Sequence, residues 1–318
     1  MNIIRYNDHC ALPGGSVATI GFFDGVHLGH QWLMRQVVEK AHSRHLSSMA
    51  ITFDRHPRQV IHASYVPQLL TTLDQRLLLL AHTGIDHVVV LPFDQQMASL
   101  SAREFMDEVL SRHLHVEALL IGYDHHFGRR QDNASEGFSD YERYGSEMGI
   151  DVIGMPHSPI LYDGQAVSSS AIRRYLSAGN VVAAAGCLSR HYTITGTVTE
   201  GFRQGRLMGF PTANIAPESV NTMLPAAGVY EILCEVADPS IPSQPLRGML
   251  NIGTLPTFQR HQLSVEAHLF NFSGDLYGKT LTLSLLRRLR SERRFTSVEA
   301  LARQLSADKA SILSHEAE

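Results

Sequence analysis

The sequence predicts two folds in succession: an α/β domain with a parallel sheet, and then a small β-barrel closed by a C-terminal helix. Between residues 17 and 155, short apolar runs alternate with helical patterns, which is typical of a parallel sheet covered on both faces. After Gly179 the pattern changes to alternating strands with one convincing helix near the end. The length of 318 residues also favours two domains over one.

The predicted elements of the first part follow one another in regular order. Its candidate strands are Val17–Phe23, Met49–Phe53, His87–Leu91, Ala118–Ile121 and Asp151–Met155, and its candidate helices fall near 30–46, 72–83, 101–113 and 139–149. Polar and aromatic residues gather after each strand. Ligands of open α/β sheets bind beyond the carboxyl ends of the strands, so we expect these loops to form one site.

Composition and charge restrict the classes of ligand. Apolar residues make up 44% of the chain, and 27 Lys+Arg against 31 Asp+Glu give a formal net charge of -4. This balance argues against binding to nucleic acid or to an anionic membrane and favours small polyanions. The three cysteines are far apart and form no C-x-x-C, which argues against disulfides and zinc. No apolar stretch reaches membrane-spanning length, so we expect a cytoplasmic protein.

The stretch from Gly21 to His30 follows the first apolar run of the α/β part and reads as strand, tight turn and helix. Glycines let the backbone approach a ligand, and the start of a helix attracts anions, so the junction suits a phosphate. His27 and His30 are three residues apart, and at the first turn of a helix both imidazoles face one side. There they could donate to phosphate oxygens. The alternative is that one histidine caps the helix and the other packs.

This stretch resembles the His-x-Gly-His signature of nucleotidyltransferases, and its Gly-x-Phe-Asp-Gly lead-in is similar to that of the bacterial bifunctional riboflavin kinase/FAD synthetase family. The resemblance implies a Rossmann-like nucleotidyltransferase domain over residues 1–184 and a riboflavin kinase barrel over 185–318. It also implies that His27 and His30 are catalytic. The residues of this stretch that it assigns to ATP are Gly21, Phe23, Asp24, Gly25 and Gly29.

Two further loops extend the resemblance. The segment from Thr52 to Arg58 is similar to the family's Thr-Phe-x-Pro-His-Pro, with Arg55 where proline is common, and the segment 122–128 is similar to Gly-x-Asp-Phe-x-Phe-Gly, with His125 in place of an aromatic residue. The segment 129–136, which follows the second of these loops, is longer than the resemblance leads us to expect. By resemblance, the flavin-binding residues are Phe53, His56, Asp124 and Phe127. Each phenylalanine could stack on a flat heterocycle or could be ordinary core.

The segment from Val167 to Arg173 carries a serine-rich helix start. It could be simply a cap. It also resembles the family's Ser-Ser-Thr-x-Ile-Arg motif, with Ser170 in place of threonine. The resemblance implies that Ser168, Ser169 and Arg173 hold the triphosphate, and a planar guanidinium suits phosphate oxygens.

The barrel strands are predicted at His191–Val198, Val229–Val236, Gly248–Ile252, Leu263–Phe270 and Leu281–Leu286, with the helix at Ser297–Leu305 or somewhat beyond. A glycine-rich segment, 201–214, resembles the Gly-x-x-x-Gly-x-x-x-Gly-Phe-Pro-Thr-Ala-Asn motif of riboflavin kinases. The resemblance implies that Gly201, Gly205 and Gly209 cover the ATP phosphates. It also implies that Thr212 and Asn214 give oxygen ligands to Mg²⁺, as a hard cation requires.

Glu266 lies in a stretch where apolar residues alternate, so it faces the opposite side of the strand from them, together with Ser264 and His268. That face could be solvent. The segment is also similar to the family's Val-Glu-x-His-Leu strand, which implies that Glu266 is the base that deprotonates the ribityl hydroxyl.

The resemblance covers nearly the whole chain and implies an enzyme that makes FMN and then FAD from riboflavin and ATP with Mg²⁺, as a monomer or weak oligomer. Two alternatives come from other classes. One is a nucleotidyltransferase with another acceptor, against which the barrel motif argues. The other is a non-catalytic flavin-binding or regulatory protein, against which the intact His27, His30, Thr212, Asn214 and Glu266 argue.

Overall fold

The computed structural model describes residues 1–6, 14–62, 64–122, 126–129, 136–156, 158–200, 209–239, 241, 244–256 and 261–314, without the side chains of 255, 256, 261 and 262. Their contacts divide the chain into two compact units, Met1–Val167 and Ser168–Glu318. The domain boundary expected from sequence, between residues 184 and 185, stays a prediction. No helix in the described ranges is long and apolar enough to cross a membrane.

The first unit is built on a parallel sheet with helices between its strands. Its elements are β1 Asn2–Arg5, β2 Ser16–Ile20, α1 Leu28–Arg44, β3 Ser47–Phe53, α2 Pro57–Ile61, α3 Leu73–Ala81, β4 His87–Leu91, α4 Gln95–Ser99, α5 Ala102–Phe105 with a π-helical continuation Met106–His113, β5 Val116–Gly122, α6 Phe138–Met148, β6 Asp151–Met155 and a small hairpin of β7 Leu161–Tyr162 and β8 Gln165–Ala166. The strand order is β1-β4-β3-β2-β5-β6, and every pair in this sheet is parallel. The predicted α/β class is confirmed.

Both faces of this sheet are buried. On one face Val17, Ala50 and Val88 pack against Met34 of α1 and Leu80 of α3. The other face packs against α5, its continuation and α6. Because side chains alternate along a strand, burial of both faces requires the nearly continuous apolar runs seen in the sequence.

The order in which strands are added to the sheet reverses at β2. β3 lies on one side of β2 and β5 lies on the other, so the switch point of the topology falls between β2 and β5. A crevice opens there beyond the carboxyl ends of the strands in folds of this class. β2 ends at Ile20 rather than at Phe23, because the backbone turns into α1 through residues with positive φ.

The second unit combines two short helices with a closed barrel and a final helix. Its elements are α7 Ser169–Ser177, α8 Val181–Leu188, β9 Tyr192–Thr199, β10 Ala213–Ile215, a 3₁₀ turn Pro217–Ser219, β11 Gly228–Val236, β12 Leu246–Pro256, β13 His261–Leu269, β14 Thr280–Arg290 and α9 Val298–Leu313. The barrel closes in the order β10-β13-β12-β11-β14-β9, with all pairs antiparallel. The predicted barrel and C-terminal helix are confirmed.

Ion pairs join the final helix to the barrel. The guanidinium of Arg290 on β14 donates from Nε to both carboxylate oxygens of Asp308 on α9, at 3.2 and 2.9 Å, and both side chains are almost fully buried. Arg287 donates to the carbonyl of Ser311 at 3.0 Å and to Glu231 at 2.6 Å. Glu231 lies on β11 and is fully buried. Burial would raise the pKa of Glu231, but hydrogen bonds from Arg287 and Arg247 outweigh it and hold that pKa below its usual value.

Candidate active sites

The turn between β2 and α1 is conformationally strained. Phe23, Gly25 and Val26 have φ angles of 52°, 81° and 40°. Glycine adopts such angles freely, but a bulky or β-branched residue does so at a cost that the surrounding structure must offset. Both Phe23 and Val26 are buried in the core beside α1, which supplies that compensation. The backbone is therefore held in one shape directly ahead of the two histidines.

Asp24 fixes the same turn to a second segment of the chain. Its carboxylate accepts hydrogen bonds from the backbone N–H groups of Leu70 and Thr71, each at 3.0 Å, and from the Thr71 hydroxyl at 3.1 Å. The Thr71 hydroxyl oxygen in turn accepts from the N–H of Gly25 at 3.0 Å. Asp24 thus holds the turn to residues 70 and 71 through buried hydrogen bonds, while its contact with ATP stays a prediction.

Asp24→Asn is expected to lower the free energy of unfolding of the α/β unit by about 2–4 kcal/mol, because charge-assisted hydrogen bonds to a buried carboxylate are lost. Chemical denaturation followed by circular dichroism measures this change. Asp74→Asn is the matched control, since Asp74 lies nearby at the exposed start of α3. Equal stabilities for the two variants would show that Asp24 does not hold the turn.

The two predicted histidines meet at the first turn of α1. His27 is the N-cap residue, and its Nδ1 accepts a hydrogen bond from the backbone N–H of His30 at 3.3 Å. The rings stack with centroids 3.6 Å apart. Gly29 makes room for them, because a Cβ at that position would lie 3.2 Å from the His27 ring. Since Nδ1 of His27 is an acceptor, a neutral His27 carries its proton on Nε2 and offers that atom as a donor.

His30 is held as an uncharged imidazole. Burial lowers the pKa of His30 well below its ordinary value, and the charges of His27 and Arg76 lower it further. Its Nδ1 is buried and has no hydrogen-bond partner among the described residues, and the edge of Phe23 packs against the ring at 5.4 Å. His27 therefore caps the helix, as one of the two interpretations from sequence expects, while donation from the imidazoles to a phosphate stays a prediction.

Arg76 is a residue that the sequence analysis missed. It lies on α3 and is buried, with 1% of its surface exposed. Its Nη2 donates to the carbonyl of Phe53, and its guanidinium carbon lies 4.1 Å from the centre of the Phe22 ring. A signal was present in the sequence, because Arg76 precedes the buried Leu77 and lies four residues before the buried Leu80, on the inner side of the helix.

A cavity of about 800 Å³ opens beyond the carboxyl ends of the strands. Most of its lining is apolar, and three of the four predicted flavin-binding residues, Phe53, His56 and Phe127, contribute to it. The remaining wall comes mainly from the end of β2, from α2 and from α4. This volume and this lining are typical of sites that bind a heterocyclic ligand.

The aromatic residues of the cavity are fixed by one another. The edge of Phe53 packs on Phe93, at 5.2 Å between centroids. His56 caps α2 through Nδ1 and meets Phe22 edge-on at 4.8 Å. Phe127 stacks on Tyr141 at 4.4 Å, so one face of its ring is already covered by the protein. The fourth predicted residue, Asp124, lies outside the described residues.

The serine motif begins the second unit. The Ser168 hydroxyl caps α7 by accepting from the N–H of Ala171 at 3.1 Å, and Ser169 and Arg173 follow on the helix. The capped helix start expected from sequence is present. The roles of these three residues toward a triphosphate stay predictions.

In the barrel, Glu266 lies between two asparagines. Strand register places it directly opposite Asn214 of β10 on one side and Asn251 of β12 on the other. The hydroxyl of Ser264 donates to Glu266 Oε1 at 2.8 Å. Asn251 was not among the predicted site residues, because only the pairing of distant strands brings it to Glu266. Ser264 lies two residues before Glu266 on the same strand and is on the face that the sequence predicts for it.

The face of β13 that carries Glu266 is not an open solvent face. Ser264 and His268 are both buried, and His268 Nδ1 lies 2.7 Å from the carbonyl of Pro211. Burial lowers the pKa of His268, and the charge of Lys309 adds to this, although the hydrogen bond to Pro211 opposes it. The next residue, Thr212, lines a second cavity of about 280 Å³, to which Asp275 and Tyr277 also contribute.

The glycines and oxygen donors that the sequence predicts for the barrel site are described in part. Gly209 has a φ of 76°, and Gly201 and Gly205 lie outside the described residues. Within the described ranges, no group of three His, Cys, Asp or Glu residues could hold a metal. Asn214, beside the Glu266 carboxylate, and Thr212, two residues before it, instead offer the amide and hydroxyl oxygens that suit a hard cation.

Comparison with known proteins gives two family matches that together span most of the chain. The model of the FAD synthetase family matches residues 10–171, and the model of the riboflavin kinase family matches residues 188–315.

Individual relatives agree with these matches. Bifunctional riboflavin kinase/FMN adenylyltransferases are 34% identical in Escherichia coli K12, over 97% of this chain and 96% of the relative, and 31% identical in Bacillus subtilis, over 92% and 90%. A crystal structure described as a macrolide-efflux protein from Streptococcus pneumoniae is 29% identical and covers 99% of both chains with a TM-score of 0.84. That structure shares the fold of this chain, and the activity in its description is not that of the two matching families.

Proposed function

The chain belongs to the family of bifunctional riboflavin kinase/FMN adenylyltransferases, and from this premise we propose that each of its two sets of site residues serves one of the two reactions. It phosphorylates riboflavin with ATP to give FMN and ADP, and it adenylylates FMN with ATP to give FAD and pyrophosphate. The observation that carries the division of roles is the separation of residue types. The stacked imidazoles and the aromatic cavity belong to the α/β unit, and the carboxylate between two asparagines belongs to the barrel.

In the kinase reaction, Glu266 acts as the general base. An alcohol is a poor nucleophile at neutral pH, so a carboxylate that accepts its proton as the O–P bond forms speeds the transfer. The ribityl hydroxyl oxygen attacks the γ-phosphorus of ATP, its proton passes to Glu266, and the bond to the ADP oxygen breaks. Ser264 orients the carboxylate through Oε1, which leaves Oε2 for the substrate proton.

Thr212 and Asn214 would hold Mg²⁺ in this site. Their hydroxyl and amide oxygens lie on the segment that pairs with the Glu266 strand, and they are donors of the kind that Mg²⁺ takes alongside water and phosphate oxygens. The ion supplies charge neutralisation at the phosphates. Gly201, Gly205 and Gly209 are proposed to cover those phosphates.

In the adenylyl transfer no base is required, because the nucleophile, the FMN phosphate, is already anionic. One of its oxygens attacks the α-phosphorus of ATP, and the bond to pyrophosphate breaks. The protein's task is to position the reactants and to stabilise developing negative charge. We assign the charge stabilisation to His27, His30 and Arg173.

The remaining contacts of the adenylyl transfer site follow the resemblance. Gly21, Phe23, Asp24, Gly25, Gly29, Ser168 and Ser169 are the proposed ATP-binding residues. Phe53, His56, Asp124 and Phe127 are the proposed flavin-binding residues. The cavity supports this flavin assignment, because its wall begins at the end of β2, which leads directly to the histidines.

The charge of the chain also bears on its partners. The net charge of -4 supports small substrates rather than nucleic acid or an anionic membrane. We further propose a cytoplasmic monomer or weak oligomer.

Incubation of the purified protein with riboflavin and Mg·ATP, followed by separation of the flavins, tests these assignments. FMN should appear first and FAD later, and a chelator should stop the reaction until Mg²⁺ is restored. Turnover that continues undiminished in excess chelator would refute the proposed Mg²⁺ role of Thr212 and Asn214.

A further inference from the structure

One buried cation in the α/β unit has no part in the reactions described above. Arg76 contacts two walls of the aromatic cavity at once, because it stacks over Phe22 at 4.1 Å and donates to the carbonyl of Phe53. Both phenylalanines line the cavity, and Phe22 meets His56 edge-on. The guanidinium therefore contacts both a residue just after β2 and the last residue of β3.

The charge of Arg76 is costly to keep in this place. Its Nε is buried and has no hydrogen-bond partner among the described residues. Burial lowers the pKa of Arg76 to about 10, and the carboxylates of Asp24 and Asp54 oppose this change, so the guanidinium stays charged at neutral pH. A methionine or leucine could fill the same volume without the penalty of desolvating a cation. Packing alone thus does not account for an arginine.

The charge acts on the histidine pair as well as on the cavity. The groups that face His30 are His27 at the start of the same helix and Arg76 on α3. Asp24 and Asp54 face Arg76 from the turn and from the end of β3. Arg76 thus contacts the aromatic wall, and its charge also acts on His30.

We propose that Arg76 is a positioning residue for FMN adenylylation, which holds the Phe22 and Phe53 wall in place for the isoalloxazine ring relative to the histidines. This inference rests on the proposed function of the cavity and of His27 and His30. It predicts an effect on FMN binding without an effect on riboflavin phosphorylation.

Arg76→Met tests the proposal, because methionine keeps most of the volume and loses the charge, the stacking and the hydrogen bond. The KM for FMN should rise about tenfold, as expected from the loss of a desolvated cation–π contact, while kcat changes less. Arg76→Lys keeps the charge and should recover part of this loss. Arg35→Met, an exposed arginine on α1, is the matched control and should leave both constants unchanged.

A second readout distinguishes positioning from mere support of the fold. The titration of the His30 ring, followed by NMR and assigned with His30→Gln, should move to higher pH in Arg76→Met, because a facing positive charge is removed. It should stay in place in Arg76→Lys. A folded Arg76→Met variant with a lower melting temperature but an unchanged KM for FMN and an unchanged His30 titration would overturn the proposal.

Phe22→Leu covers the case in which Arg76→Met does not fold, because it removes the stacked ring and leaves the arginine. It should raise the KM for FMN to a similar degree, and an unchanged KM would also overturn the proposal. Comparison of the wild-type enzyme with a variant that lacks His27 and His30 separates a failure of the proposed site from a failure of the inference about Arg76. If FAD formation does not depend on the histidines, the assignment of the site fails. If that dependence holds and the Arg76 and Phe22 variants behave as wild type, only the inference about Arg76 fails.

Discussion

A variant that combines His27→Asn with His30→Ala is expected to convert riboflavin to FMN and to stop there. Adenylyl transfer concentrates negative charge around the α-phosphate and the departing pyrophosphate, and removal of one positioned donor to such charge commonly costs roughly 10²-fold or more. Asparagine keeps an oxygen acceptor for the cap of α1, so the helix start survives while the imidazole is lost. Separation of the flavins over time measures FMN accumulation and the rate of FAD formation.

The control for this variant is His42→Ala, since His42 is an exposed histidine on the same helix. It should form FAD at the parent rate. FAD formation at the parent rate by the double variant would mean that the stacked pair is structural and that the chemistry of the α/β unit lies elsewhere.

Glu266→Gln is expected to abolish riboflavin phosphorylation and to leave the adenylylation of supplied FMN largely intact. The amide keeps the shape of the side chain and an oxygen that can accept from Ser264, but it does not take the hydroxyl proton. Loss of a general base lowers the rate by about 10²–10⁴-fold. Initial rates of FMN formation from riboflavin, and of FAD formation from FMN, measure the two reactions separately.

Glu235→Gln is the matched control, because Glu235 is an exposed carboxylate on the barrel strand β11. A loss smaller than about tenfold in Glu266→Gln would indicate a structural carboxylate rather than a base. A parallel loss of FAD formation from FMN would contradict the assignment of the two reactions to separate residues.

The core of each fold could be predicted from sequence because burial leaves a pattern in the chain. β4 and β6 have the predicted bounds, His87–Leu91 and Asp151–Met155. A buried apolar run defines β4, whereas β6 is a partly exposed edge strand whose ends are marked by its polar first residue and by the proline that follows it. β1, Asn2–Arg5, was missed, because a short and mostly exposed edge strand has no such pattern. β10, Ala213–Ile215, was missed because three residues are too few for a periodicity, although it closes the barrel.

The candidate sites were predictable to the extent that they are local. His27 and His30 come together because three residues at a helix start place them on one side. Asn251 pairs with Glu266 only through the register of β12 and β13, which local sequence does not encode. Arg76 was missed for another reason. An arginine within a helix normally faces solvent, and its burial depends on the Phe22 ring and the Phe53 carbonyl, which lie more than twenty residues earlier in the chain.

Mixing the two catalytic variants tests the central claim, that one chain carries two independent sets of catalytic residues. Neither Glu266→Gln nor the His27→Asn, His30→Ala variant should make FAD from riboflavin and Mg·ATP alone. Together they should make it, because FMN released by the histidine variant can be adenylylated by the Glu266 variant. FAD formation in the mixture, after a lag in which FMN accumulates, is the predicted result. A mixture that contains both folded variants and accumulates FMN but yields no FAD would contradict the account.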